Sequence, residues 1–174
     1  MKRMATENIT SKDLFLGSII TVRSRQLRLV DYGDIFTKNK FESAASRTFA
    51  MVKPDCYTQT GKIIDAIYQN GFTISKLKMS KFTNPQQTDQ FYDQHKGKPF
   101  FSDLSAYMQS DVCTGMELVS EGAVSKFRDI LGPTNAQEAK QVAPNSLRAA
   151  FGSDAMRNAI HGSASEADYQ KEAG

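Results

Sequence analysis

The chain has 174 residues, with 22 Lys and Arg against 19 Asp and Glu and a net charge of +3. A hydrophobic content of 40% with 24% charged residues is typical of a globular protein with one core rather than of a disordered or membrane protein. So weak a charge gives no support for a nucleic-acid partner. No apolar run approaches the roughly 20 residues of a membrane helix, and the polar start lacks a signal-peptide core. We therefore expect a cytoplasmic protein without a membrane partner.

The chain is predicted to consist of an arm, residues 1–45, and a compact domain, residues 46–174. Residues 15–36, which read FLGSIITVRSRQLRLVDYGDIF, contain two β-rich runs, IITV and QLRLV. A short polar pair separates these runs, which predicts a β-hairpin in the arm.

Four apolar runs after residue 46 predict the strands of a sheet. One of them, residues 72–82, alternates between apolar and polar residues, which is expected to place Phe72, Ile74 and Leu77 near the core. The other three predicted strands are residues 48–54, 112–119 and 157–161.

Apolar residues at helical spacing predict helices between these strands, several with a glycine at the end. These helices are residues 61–71, 86–94, 101–109 and 123–132. A short helix is expected after Gly162, whereas residues 133–145 are interpreted as a long functional loop. Strands alternating with helices predict an α/β sandwich, with helices on one or both faces of the sheet.

One of the two histidines, His161, stands directly before Gly162 and is the first suggestion of chemistry. Arg128 and Arg148 flank the predicted loop, and a guanidinium group can bind phosphate oxygens in pairs. Lys53 ends a strand, where ligands of α/β folds often bind. Each residue also has an ordinary structural interpretation, as a surface charge, a strand end or a satisfied histidine. The GxxxxGK[ST] phosphate loop and metal-ligand patterns are absent from the sequence.

Four sequence runs together resemble the nucleoside diphosphate kinase family. They are FAMVKPD (49–55), KGKPFFSDL (96–104), LGPTN (131–135) and RNAIHGSAS (157–165), in the family's order and spacing. The resemblance implies a ferredoxin-like α+β sandwich, a four-stranded antiparallel sheet covered by helices. It also implies transfer of the γ-phosphate of ATP or another nucleoside triphosphate to a nucleoside diphosphate, through a phosphohistidine on His161.

The same resemblance implies the supporting catalytic residues. Glu172 matches the glutamate that orients the histidine, Ser163 matches its neighbouring hydroxyl, and Tyr92 matches a tyrosine close to the transferred phosphate. The chain ends two residues after Glu172. This predicts a loosely held carboxylate, and it puts the family's usual hexamer in doubt.

The resemblance further implies a set of nucleotide ligands. Stacking of the base on an aromatic ring predicts low discrimination among bases. Mg²⁺ would arrive with the nucleotide and bridge its phosphates, without metal ligands from the protein. The predicted ligands are Arg128, Thr134 and Arg148 for the phosphates, Lys53 and Asn158 for the sugar hydroxyls and phosphate, and Phe100 for the base.

The arm carries a second, shorter resemblance. Residues 15–36 are similar to the end of the small N-terminal module in the ciliary, two-kinase-domain branch of the family, and a longer loop before Arg148 fits the same branch. This implies binding to tubulin and axonemal proteins through the arm, in the axoneme of a cilium or flagellum. The alternative to an active kinase is therefore an axonemal, microtubule-associated structural protein with weak or no turnover.

Overall fold

A computed structural model of the chain describes residues 9–10, 13–14, 17–38 and 46–173. The chain divides into two compact units, Met1–Ala44 and Ala45–Gly174. Within the described ranges, no helix is both long enough and apolar enough to cross a membrane.

The first unit contains the hairpin that the sequence predicts. Strand β1 (Ile19–Val22) pairs antiparallel with strand β2 (Arg25–Arg28). The two residues between the strands, Arg23 and Ser24, have φ values of 48° and 64°. Positive φ at both central residues is typical of the type I′ turn, whose twist matches that of paired strands.

The second unit is built on a four-stranded antiparallel sheet, which confirms the predicted fold class. The strands are β3 (Ser46–Val52), β4 (Thr73–Lys81), β5 (Val112–Ser120) and β6 (Ile160–Gly162). They lie in the order β4-β5-β3-β6. With a helix between β3 and β4 and another between β5 and β6, this order defines the ferredoxin-like β-α-β-β-α-β sandwich.

Helices pack on both faces of the sheet because the side chains of its central strands alternate between two apolar clusters. The helices are α1 (Thr60–Gln69), α2 (Pro85–Phe91), α3 (Phe101–Met108), α4 (Ala123–Leu131), α5 (Ala136–Val142), α6 (Leu147–Phe151) and α7 (Glu166–Glu172). Val52 packs with Ile63 of α1 and Phe127 of α4 on one face, whereas its neighbour Met51 packs with Leu104 of α3 on the other. The predicted helix at residues 86–94 ends at Phe91 and is followed by a 3₁₀ turn.

Two predictions about buried and extended segments were wrong. Leu77 is 51% exposed, because β4 is an edge strand and only Ile74 within it is partly buried. The strand predicted at 157–161 is confined to β6, because Ala159 has a φ of 67° and interrupts the extended backbone.

The interpretation of residues 133–145 as one long loop was also wrong, since they contain helix α5. The side chain of Asn135 accepts a hydrogen bond from the backbone N–H of Gln137 at 2.9 Å. An asparagine N-cap ahead of good helix formers is sufficient to start a short helix.

Candidate active site

His161 lies on β6 directly opposite Met51 of β3. Its ring meets that of Phe91 edge to face at a centroid distance of 5.3 Å and that of Tyr92 at 6.1 Å. The side chain is 16% exposed. The aromatic neighbours therefore hold the imidazole in one orientation while leaving part of it accessible.

A chain of hydrogen bonds fixes which nitrogen of His161 is free. Nε2 lies 2.8 Å from Oε1 of Glu172, and the Ser163 hydroxyl donates to Oε2 of the same carboxylate at 2.7 Å. The Phe49 N–H in turn donates to the Ser163 hydroxyl at 3.2 Å. Because a carboxylate accepts, Nε2 carries the proton and Nδ1 keeps its lone pair.

Glu172 is held more firmly than its place near the chain end predicts. It is the last residue of α7, its side chain is 8% exposed, and both of its carboxylate oxygens are engaged. Hydrogen bonds to a charged group contribute more than those between neutral groups, so this contact is a firm support for the imidazole.

The backbone before His161 adopts a strained conformation that its neighbours hold in place. Ala159 has a positive φ, its N–H donates to Oδ2 of Asp55 at 3.1 Å, and its carbonyl accepts from the Lys53 N–H at 2.9 Å. A non-glycine residue in this region costs about 1–3 kcal/mol, and such residues are common at functional sites.

Gly162 follows the histidine because the packing leaves no room for a side chain. A Cβ atom at this position would lie 2.7 Å from side-chain atoms of both Leu131 and Phe127, which are fully buried. A larger residue would push β6 away from α4 and displace His161.

Two basic side chains, of buried Lys53 and half-buried Arg148, lie near His161 without a carboxylate at ion-pair distance in the described part of the chain. Lys53 is 6% exposed and its Nζ donates to the Met156 carbonyl at 3.3 Å. The Arg148 guanidinium donates to the carbonyls of Gly132 at 2.9 Å and of Ile160 at 3.3 Å. Carbonyl oxygens orient these cations, and within the described ranges carboxylates attract Lys53 only at longer range, from Asp55 and Asp154.

The pKa values of both groups reflect their burial and, after it, the neighbouring positive charges. Burial, followed by the charge of Arg148, lowers the pKa of Lys53 to about 8. Burial, followed by the charge of the exposed Arg128, lowers the pKa of Arg148 to about 10. An anion placed between the three cations would relieve their mutual repulsion, so the site favours a ligand with several negative charges.

Asn158 offers one unsatisfied acceptor in the same region. Its side-chain NH₂ donates to the carbonyl of Thr134 at 2.8 Å and to that of Ala155 at 3.1 Å, and the residue is 2% exposed. Its Oδ1 is buried and has no partner. A buried acceptor without a donor is costly, so Oδ1 is suited to accept from a ligand hydroxyl or amino group.

The predicted aromatic residues lie in different environments. Tyr92 stands beside His161, but its hydroxyl donates to Sδ of Met108 at 3.6 Å, and burial raises its pKa above the ordinary tyrosine value. Phe100 is 44% exposed, with the Lys98 ammonium 5.8 Å from its ring. Tyr92 therefore packs against His161, whereas Phe100 presents a ring face to solvent.

Sequence reasoning missed His95, the second histidine. Its ring stacks on Tyr92 at 6.1 Å and lies 5.6 Å from Phe100, and its Nδ1 is 2.9 Å from the Lys98 ammonium. Burial, followed by the charge of Lys98 and the interaction with the imidazole of His161, lowers the pKa of His95. Its position three residues after Tyr92 and just before the KGKPFF run was the available signal.

Within the described ranges, no three His, Cys, Asp or Glu side chains are close enough to share a metal ion. The chemistry of the site instead consists of cations, amide groups and one oriented imidazole. Such a donor set is suited to phosphate oxygens.

The fold and site define a class of protein that binds a polyanion beside an oriented nitrogen nucleophile on a ferredoxin-like sandwich. The chain belongs to the nucleoside diphosphate kinase family, whose sequence model matches residues 46–174. Membership supports nucleoside diphosphate kinase activity in general.

Three relatives illustrate the match. The nucleoside diphosphate kinase of Aquifex aeolicus is 44% identical over 131 residues, and its crystal structure superimposes with a TM-score of 0.71, covering 74% of this chain and 92% of that one. Nucleoside diphosphate kinase homolog 5 of Homo sapiens is 40% identical over 72% of this chain and 59% of its own length.

The third relative, nucleoside diphosphate kinase homolog 7 of Rattus norvegicus, is 39% identical over 163 residues. This match covers 94% of the chain, so it extends beyond the kinase domain into the arm. The chain spans 41% of the length of that relative.

Proposed function

We propose that this chain is a nucleoside diphosphate kinase in which Nδ1 of His161 takes the γ-phosphate of a nucleoside triphosphate. One observation carries the proposal: the Glu172 carboxylate binds Nε2, leaving the lone pair of Nδ1 free, and the backbone just before His161 accepts hydrogen bonds from Lys53 and Arg148. An imidazole fixed in this tautomer presents Nδ1 as the nucleophilic atom.

In the proposed step, Nδ1 forms a bond to the γ-phosphorus. The bond from phosphorus to the bridging oxygen breaks, and its electron pair leaves with the nucleoside diphosphate. The Nε2 proton stays in its hydrogen bond to Glu172, which supports the positive charge that the ring gains. A second nucleoside diphosphate then attacks the phosphohistidine with a terminal oxygen, and the reverse sequence regenerates the free imidazole.

The remaining predicted residues would bind the nucleotide. Lys53, Arg128 and Arg148 would offset the charge of the phosphates, which is the main catalytic requirement of this transfer. Oδ1 of Asn158 would accept from a ribose hydroxyl, and Phe100 would stack on the base. Mg²⁺ enters this proposal as part of the substrate, the magnesium complex of the nucleotide.

Initial-rate kinetics test this route. With ATP and a diphosphate acceptor both varied, the double-reciprocal plots are expected to be parallel, since a phosphoenzyme separates the two half-reactions. Lines that intersect would mean that both nucleotides bind before transfer, which contradicts a covalent intermediate.

The affinity of this chain for ATP is expected to depend on pH through the charge of Lys53. As the pH rises through about 8, Lys53 loses its charge, so ATP affinity is expected to fall by up to about tenfold per pH unit above that value. Conversely, ATP raises the pKa of Lys53, and binding near pH 8 takes up protons. Titration calorimetry between pH 7.5 and 9, in buffers of different ionisation enthalpy, measures both effects.

Lys53→Arg is the informative variant for this prediction because its charge persists over the whole range. It is expected to bind ATP with little change between pH 7.5 and 9, whereas Lys62→Gln, at an exposed position on α1, is expected to behave like the parent chain. If the ATP affinity of Lys53→Arg fell equally steeply with pH, a group other than Lys53 would be responsible for the pH dependence.

We propose as a second function that the arm docks the kinase domain on axonemal microtubules. Two observations support it. The match to homolog 7 extends into the arm, and the described arm residues expose large apolar side chains, including Ile19 at 63% and Val30 at 80%. Exposed apolar surface of this kind is typical of protein interaction sites.

Co-sedimentation with axonemal doublets tests this docking function. The full chain is expected to pellet with the doublets, and residues 46–174 alone are expected to stay in the supernatant with their kinase activity intact. Equal pelleting of the full chain and of residues 46–174 would mean that the arm is not needed for binding to the doublets.

A further inference from the structure

Helix α7 carries Glu172, yet few contacts set the rotation of this helix. Tyr169 is its one buried residue, 7% exposed. Residues three apart on a helix share a face, so Tyr169 and Glu172 point to the same side of α7. The position of the tyrosine side chain therefore sets the helix rotation from which the Glu172 carboxylate reaches its own partners, His161 and Ser163.

The hydroxyl of Tyr169 is anchored on a buried carboxylate. It donates to Oε2 of Glu117 on β5 at 2.9 Å. Glu117 is 5% exposed and also accepts from the Arg47 guanidinium of β3, from the Ser75 hydroxyl of β4 at 2.6 Å and from the Lys76 ammonium at 3.2 Å. This cluster thus joins three strands to α7, and we name it the Glu117 clasp.

The electrostatics of the clasp favour a permanently ionised carboxylate. Burial raises the pKa of Glu117, but the hydrogen bonds from Ser75, Tyr169 and Lys76 outweigh burial and bring it to about 2. The acceptor that holds Tyr169 is therefore charged at any pH near neutrality. A charged acceptor on a rigid sheet is a strong fixed point for a short helix.

Apart from the hydrogen bonds of Glu172 itself, two further contacts of α7 do not supply this constraint. Ser165 caps the first turn through the N–H of Asp168, which determines where the helix begins but not how it is rotated. Lys171 pairs with Asp93 at 2.6 Å, but both side chains are about half exposed, and such pairs contribute little.

We propose that Tyr169 is a positioning residue, which holds α7 on Glu117 so that Glu172 reaches Nε2 of His161. This inference deepens the proposed function and rests on it for its catalytic consequence. Tyr169 touches neither His161 nor the nucleotide ligands in the described hydrogen-bond network, so it acts only through Glu172.

The test is Tyr169→Phe, which keeps the ring and removes the hydroxyl. The maximal rate of His161 phosphorylation by saturating ATP is expected to fall about 3- to 10-fold, a part of the roughly 10- to 100-fold equivalent of one hydrogen bond to a charged group, because Tyr169 acts only through Glu172. The ATP concentration for half-maximal rate is expected to stay unchanged. Tyr68→Phe, an exposed hydroxyl on α1, and Lys171→Ala, on α7 itself, are matched controls that should leave both values unchanged.

The double variant Tyr169→Phe/Glu172→Gln distinguishes a positioning role of Tyr169 from a general loss of structure. If Tyr169 acts through Glu172, Tyr169→Phe has little further effect once Glu172 is already Gln. An equal loss in both backgrounds would overturn the proposal, because Tyr169 would then act on another group.

A measurement of the tautomer of the His161 imidazole tests the positioning role separately from the proposed function. Nitrogen-15 NMR reports which ring nitrogen of His161 carries the proton, and with two histidines in the chain the signals are assigned with His95→Gln. The proton is expected on Nε2 in the parent chain and shared between both nitrogens in Tyr169→Phe. An unchanged tautomer would overturn the positioning role, whereas absence of phosphorylation in the parent chain would overturn only the proposed function.

Discussion

Replacing His161 by asparagine is expected to lower phosphoryl transfer at least about 10⁴-fold, because no other group in the site can carry the phosphate. An asparagine amide can still donate to Glu172, so the folded state should persist. Initial rates of transfer from ATP to a diphosphate acceptor, with the thermal midpoint measured in parallel, check this expectation.

The chain provides a matched control for this variant in its second histidine. His95 stacks on Tyr92 and contacts Lys98, but no carboxylate orients its ring in the described structure. His95→Asn is therefore expected to weaken ATP binding by about 2- to 10-fold, with phosphoenzyme formation retained. A larger loss of phosphoenzyme in His95→Asn than in His161→Asn would mean that His95, and not His161, is the nucleophile.

Arg148→Lys is expected to have the second largest effect, a fall of about 10²- to 10³-fold in transfer rate. Lysine keeps the charge but loses the planar fork that can bind phosphate oxygens in pairs while also donating to Gly132 and Ile160. The lost donors also leave two carbonyls unsatisfied, with an expected cost of about 1–3 kcal/mol in unfolding free energy. Single-turnover phosphorylation and chemical denaturation measure the two effects.

The same change at Arg157 is the control for Arg148→Lys. Arg157 is more than half exposed and pairs with Asp154 at 3.6 Å, so its charge already has a carboxylate partner. Arg157→Lys is expected to change the rate by less than about twofold. If both variants lost rate equally, general electrostatics rather than the Arg148 fork would explain the result.

Much of the fold could be predicted because its elements depend on local patterns. The apolar run in β3 and the helical spacing with a glycine stop in α4 are visible in the sequence. The exposure of Leu77 was missed because it depends on which strand lies at the sheet edge. The start of β6 was missed because Ala159 has a left-handed backbone that the Asp55 carboxylate stabilises from a distant part of the chain.

The candidate site divides in a similar way. The motif at 157–165 indicated His161, and the structure brings Glu172, Ser163, Lys53 and Arg148 close to it. Properties that depend on three-dimensional burial could not be predicted, including the low pKa of Lys53 and the free Oδ1 of Asn158. The Glu117 clasp lies outside every motif, because its members share no spacing and meet only when the sheet forms.

The most direct measurement of the central claim is phosphoenzyme formation with ATP labelled at the γ-phosphate. We expect label on the protein that is stable in base, lost in acid, absent from His161→Asn, and transferred in full when a nucleoside diphosphate is added. A protein that takes up no label, or that keeps acid-stable label after the diphosphate is added, would contradict the phosphohistidine mechanism.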